Sequence, residues 1–145
     1  MTSAKPTVSP PPFSLVGIDH VVLLVTDMQR AIDFYREVLG ATIGFSYPGL
    51  AMEQLWCGVS LIVLVDISAP EAAYATPEIA GGRNMDHVCL MLSPFDHDAM
   101  RAHLTAHNVP IDREAFHGGA RGQSHSFYIL DPFGNKLELK GPPVY

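Results

Sequence analysis

The chain has 145 residues, 48% of them hydrophobic and 17% charged, enough apolar material for one proper core shared by a single domain or two small units. Its formal net charge of −6 argues against nucleic acid or an anionic membrane surface as the main partner. No run of about 18 apolar residues is present to span a bilayer. The opening stretch MTSAKPTVSPPPF lacks the apolar segment of a secretory signal and reads as a disordered tail over residues 1–14. A cytoplasmic location is expected, with Cys57 and Cys89, each among apolar neighbours, as buried free thiols.

Folding is expected to begin near Leu15. IDHVVLLV (Ile18–Val25) is β-branched and apolar on both faces, a strand covered on both sides. A helix follows: Asp27 is its N-cap, Met28, Ile32, Tyr35 and Leu39 recur at helical spacing, and Gly40 stops it. Three strands come next, at about Ala41–Tyr47, Ala51–Cys57 and Ser60–Ile67, with turns at YPGL and CGVS. The Ala-, Pro- and Gly-rich stretch over residues 68–83 is a linker.

The second half runs in the same order. Met85–Leu92 is a strand, and Ser93 caps a helix with Pro94 in its first turn. Ala99, Met100 and Leu104 form that helix's stripe, and Asn108 ends it. A short strand, the glycine-rich loop HGGARGQ, and the strands SHSFYIL and KLELK around the turn DPFGN complete the chain. Both halves therefore read β-α-β-β-β, as modules over residues 15–67 and 84–140 in a single α+β domain over 15–145. Matched on their Asp-His pairs, the modules are offset by 67 residues, which makes His20 and His87 equivalent.

Strand alternation then assigns faces. His20 shares its face with Val22 and Leu24, and His87 with Cys89 and Met91. Leu137 and Leu139 should cover the helices, which turns Glu138 to the opposite face. Two imidazoles and a carboxylate form a set that suits Fe, Mn, Zn or Ni with open positions for substrate. The alternatives are structural histidines at strand starts and a solvated strand-end carboxylate. Counting four residues from each turn glycine pairs Glu138 with Ile62, with Val63 beside it, and neither can bind a metal. Three protein ligands are expected, not four.

DHVVLLVTDMQRAIDFYREVLG and GQSHSFYILDPFGNKLELK, joined by DHVCLML, resemble the vicinal oxygen chelate superfamily over about Val16 to Lys140. That superfamily includes glyoxalase I, fosfomycin-resistance proteins, extradiol dioxygenases and bleomycin-binding proteins. The resemblance implies paired βαβββ modules whose mixed sheets form a cupped cavity, with His20, His87 and Glu138 holding a divalent metal. It also implies glyoxalase-like lyase or isomerase chemistry on a small oxygenated substrate chelated through oxygen. The runners-up are an Fe(II) extradiol-type dioxygenase and a metal-free binding protein for a small molecule such as an antibiotic. Thiol-transferring members carry a threonine where this chain has Val22, a departure that points away from their activity. Around the site, Glu53 is the expected general base, with Gln54 next to it and only one of the two able to face the cavity. Tyr128 is the expected donor to a substrate oxygen, and Arg121 and Gln123 of the glycine-rich loop the expected substrate contacts. His103 and His107 read as a polar helix face. Exposed sheet edges together with the resemblance imply a homodimer with shared sites.

Overall fold

A computed structural model describes residues 18, 20–75, 85, 87–118 and 121–144. The expected tail, residues 76–83 of the expected linker, and the aspartates before His20 and His87 lie outside the described residues.

The first half is strand β1 (His20–Val25), helix α1 (Met28–Asp33) running on into a wider π-type turn at Phe34–Val38, and strands β2 (Thr42–Tyr47), β3 (Met52–Cys57) and β4 (Ser60–Asp66). Asp27 caps α1, its carboxylate accepting from the Arg30 amide at 3.0 Å, and so takes up one of the unpaired first-turn donors. Gly40, at φ +74°, turns the chain out of the helix in the left-handed region that glycine favours. The second half is β5 (Val88–Met91), α2 (His97–Ala106), β6 (Arg113–His117), β7 (Ser124–Leu130) and β8 (Lys136–Lys140). The cap of α2 is Asp96, whose carboxylate accepts from the Ala99 amide at 3.0 Å, and not the expected Ser93. Ser93 lies three residues too early to reach those amides, because the chain is not yet helical at Pro94.

The strands form two four-stranded sheets with the same order, β1-β4-β3-β2 and β5-β8-β7-β6. In each, the first strand of the module runs parallel to the last and the remaining pairs are antiparallel. The expected repeat is therefore structural. Leu23 and Val25, Leu55, and Ile62 and Leu64 of the first sheet share one buried cluster with Phe127, Ile129, Leu137 and Leu139 of the second. Ala31, Tyr35 and Leu104 join it from the helical segments. Burying each large aliphatic or aromatic side chain there contributes about 1.5–3 kcal/mol. Both sheets thus turn one face toward a common core and the other away from it.

Two polar contacts fasten the modules to each other. The buried Tyr35 hydroxyl donates to Asp131 Oδ2 at 2.8 Å, and His103 Nε2 donates to the Val38 carbonyl at 2.7 Å. His103 is thus a tie between α2 and the end of the first helical segment, as well as the neighbour of His107 on the helix face.

Candidate metal centre

On the outward face of the second sheet, strand pairing lines up a row of four residues. Cys89 of β5 lies opposite Glu138 of β8, Glu138 opposite Tyr128 of β7, and Tyr128 opposite Arg113 of β6. Leu137 and Leu139 lock β8 into the core, so alternation drives Glu138 outward, as expected. Glu138 is 4% exposed, and its carboxylate carries a hydrogen bond on each oxygen. Ser126 Oγ donates to Oε1 at 2.7 Å, and His87 Nε2 stands 3.1 Å from Oε2. A buried carboxylate needs such partners to stay ionised.

The spacing also fits a metal. Ligand bonds of about 2.0–2.2 Å from imidazole nitrogen and carboxylate oxygen to one ion put the two ligand atoms roughly 2.9–3.4 Å apart. His87 Nε2 and Glu138 Oε2 lie within that range at 3.1 Å. Two of the three expected ligands are therefore together. His20 does not join them: among the described residues no three His, Cys, Asp or Glu side chains gather around one point. His20 lies at the start of β1 on the outward face of the other sheet, and the common core separates the two outward faces.

Strand register also corrects two readings made by counting along the chain. Val22 pairs with Val63 as Cys89 pairs with Glu138, so the first-module equivalent of Glu138 is Val63 and not Ile62. Ile62 points into the core. Gln54 pairs with Val63 as Tyr128 pairs with Glu138, which puts Gln54 on the face of His20. Glu53 is on the opposite, helix-bearing face, opposite Leu64, with Ser46 Oγ donating to its carboxylate at 2.6 Å. Leu55 sets this phase: once it is buried, Glu53 and Gln54 have no choice of face. Glu53 is therefore not placed to act as a base beside the three expected ligands.

Tyr128 is buried next to Glu138, and the Arg113 guanidinium carbon stands 4.4 Å from its ring centroid. Burial pushes the Tyr128 hydroxyl above its usual range; Glu138 adds to the rise, and Arg113 pulls against it. The His87 ring meets the Tyr128 ring edge-on, with centroids 5.4 Å apart. Arg121 and Gln123 are exposed in the loop between β6 and β7, where the Gln123 carbonyl accepts from the Val144 amide at 2.8 Å. Both cysteines are free, but neither is buried as expected: Cys57 is half-buried, and Cys89 is exposed because it lies on the outward face. Partial burial and the adjacent Glu138 carboxylate push its thiol up to about 11. Counting along the chain missed Ser126 and Arg113, since only pairing across the sheet brings them to Glu138 and Tyr128.

Residues 17–139 match the family model described as the Glyoxalase/Bleomycin resistance protein/Dioxygenase superfamily. The chain is 30% identical over 125 residues to the glutathione transferase FosA of Serratia marcescens, a match covering 86% of this chain and 80% of the relative. It is 31% identical over 123 residues to the virulence protein STM3117 of Salmonella typhimurium, covering 84% and 81%. The crystal structure of that protein superposes with a TM-score of 0.70 at 25% identity, covering 90% of this chain and 99% of that one. A lactoylglutathione lyase from Agrobacterium tumefaciens superposes with a TM-score of 0.62 at 26% identity, covering 91% and 95%. On the span of the family match, the repeated βαβββ modules and these likenesses, the chain belongs to the glyoxalase/bleomycin resistance protein/dioxygenase superfamily.

Proposed function

We propose that the chain is a metal-dependent enzyme whose site is completed by a second copy of itself. The observation that carries this reading is the contact between His87 and Glu138 on a sheet face that His20 of the same chain does not share. His87 and Glu138 of one protomer, with His20 from the other, would hold a divalent ion such as Zn, Ni, Mn or Fe. The bound ion would supply a Lewis acid that stabilises oxyanion character on a chelated substrate oxygen. The protein's own contribution is orientation. Ser126 fixes the Glu138 carboxylate, and Tyr128, beside it in the row, presents a hydroxyl to a substrate oxygen. Gln54, the counterpart of Tyr128 in the first module, faces the same space from the other protomer. Arg121 and Gln123 border it from their loop as substrate contacts. The reaction class is glyoxalase-like lyase or isomerase chemistry on a small oxygenated molecule.

Refolding two inactive variants together tests this. His20→Ala and Glu138→Ala should each fail to retain zinc when purified alone. In a mixed dimer with shared sites, both lesions fall into one site and the other stays intact. Random pairing of equal amounts should then restore about a quarter of the wild-type sites, read as bound zinc after dialysis. No recovered zinc in the mixture overturns the shared site, and a wild-type protein that retains none of zinc, nickel, manganese or iron in stoichiometric amount overturns the metal reading.

A further inference from the structure

The two outward faces differ in chemistry. On the second sheet the described strand residues of this face include an exposed Arg113, a half-buried Lys136 and a buried Lys140, against one buried carboxylate, Glu138. This is a cationic face on a protein of net charge −6, and a divalent ion would add to it. On the first sheet the face of His20 carries no Asp, Glu, Lys or Arg in its paired strand residues. It presents instead Val22 at 46% exposure and Trp56 at 44%, with its polar groups uncharged or imidazole, on His20, Thr42, Tyr47 and Gln54. Neither face alone explains what a shared cavity would take; opposed, they make a cationic wall and an apolar wall.

The Arg113 guanidinium is held by the Tyr128 ring at the end of the row that starts at Cys89 and Glu138. Arg113 lies two strand spacings from Glu138, about 10 Å between backbones. A planar guanidinium anchored on an aromatic face retains edge donors for two oxygens of one oxyanion. Resting on the shared-site reading above, we propose that the substrate is a small oxyacid with an apolar body of about ring size. Arg113 of one protomer binds its anionic group, Trp56 and Val22 of the other pack its body, and a further oxygen points toward His87 and Glu138.

Trp56 is the one tryptophan of the chain, so its emission reports occupancy of the apolar wall. Zinc-loaded protein is titrated with phenylacetate, phenylphosphonate, benzyl alcohol and inorganic phosphate, following fluorescence and heat. Both aromatic anions should bind about tenfold or more tightly than benzyl alcohol or phosphate and should shift Trp56 emission. The tighter of the two shows whether the oxyanion is a carboxylate or a phosphonate. Arg113→Ala should weaken both aromatic anions about tenfold, Arg113→Lys should recover part of the loss, and benzyl alcohol should be indifferent to either change. Zinc affinity, read by chelator competition, should not change with Arg113. Arg113→Ala binding the anions as the wild type does, or phosphate binding as tightly as phenylphosphonate, overturns the proposal. If zinc and dimer are intact but the Arg113 dependence is missing, this inference fails by itself. If the wild type holds none of zinc, nickel, manganese or iron yet shows the Arg113 dependence, the metal reading fails and the anion site stands.

Discussion

Glu138 illustrates how much one residue's surroundings decide. Its two oxygens are divided between Ser126 and His87, so the carboxylate is oriented before any ion arrives. Val63, its first-module counterpart, has the same place in the strand pairing but no donor atom. Restoring a carboxylate there is a sharp test of the register. Val63→Glu should hold zinc about tenfold or more longer against a chelator than the wild type, because the backbone already presents the position to the face of His20. Without zinc the same variant should be less stable than the wild type, since Val63 is 2% exposed and an unpaired carboxylate there costs several kcal/mol. Ile62→Glu, buried in the core, should lose stability with no gain in zinc retention. Zinc release from Val63→Glu as fast as from the wild type would show that the strand-register equivalence carries no functional meaning.

At the level of elements, the joint between modules rests on Tyr35 and Asp131. Asp131 organises the turn between β7 and β8 by accepting from the Phe133 and Asn135 amides, each at 2.8 Å, and from Asn135 Nδ2 at 2.7 Å. Tyr35, in the π-type turn, adds a bond from the other module at 2.8 Å. Tyr35→Phe removes a hydrogen bond to a buried charged group and should cost about 1.5–3 kcal/mol in a urea titration at pH 8. Burial first, then the Asp131 charge and hydrogen bond, hold the Tyr35 hydroxyl far above its ordinary value of 10.0. The native state therefore keeps a proton that the unfolded chain loses above pH 10. This contribution is complete below pH 10 and declines as pH rises beyond it, by about 1.4 kcal/mol per unit. Stability measured between pH 9 and 11.5 should fall more steeply in the wild type than in Tyr35→Phe. Parallel slopes would remove Tyr35 from this role.

For the whole molecule, the two outward faces are the consequence of a core shared back to back. Val22, Trp56 and Tyr47 remain partly exposed on one face, and Met91 and Leu130 on the other. A second copy that brings opposite faces together covers this apolar surface and encloses the proposed site. An ion bridging two protomers stabilises the dimer only while it is bound, so metal and partner affinities are linked. Sedimentation at low micromolar concentration should show the dimer dissociating about tenfold more readily in chelator than in zinc. His20→Ala should resemble the chelated wild type in either buffer. A dimer constant indifferent to both changes would mean that the metal does not bridge the chains.

Several features were legible along the chain because short-range chemistry sets them. Asp27 is a cap because its carboxylate is one turn from free amides, and Gly40 ends the helix because it takes a positive φ. Leu137 and Leu139 bury one face of their strand and so send Glu138 to the other, whatever lies nearby. The internal repeat followed from the order of such elements and from the two Asp-His pairs. Pairing between distant strands is a different matter, since alternation determines which residues share a face but not which residues come opposite one another. Only the assembled sheets put Val63 rather than Ile62 in the place of Glu138, turned Glu53 away in favour of Gln54, and set Arg113 against Tyr128. The separation of His20 from His87 and Glu138 was likewise a tertiary outcome. It arises because the apolar faces of both sheets gain more by closing on one core than either would by covering itself, and that closure leaves the two outward faces on opposite sides.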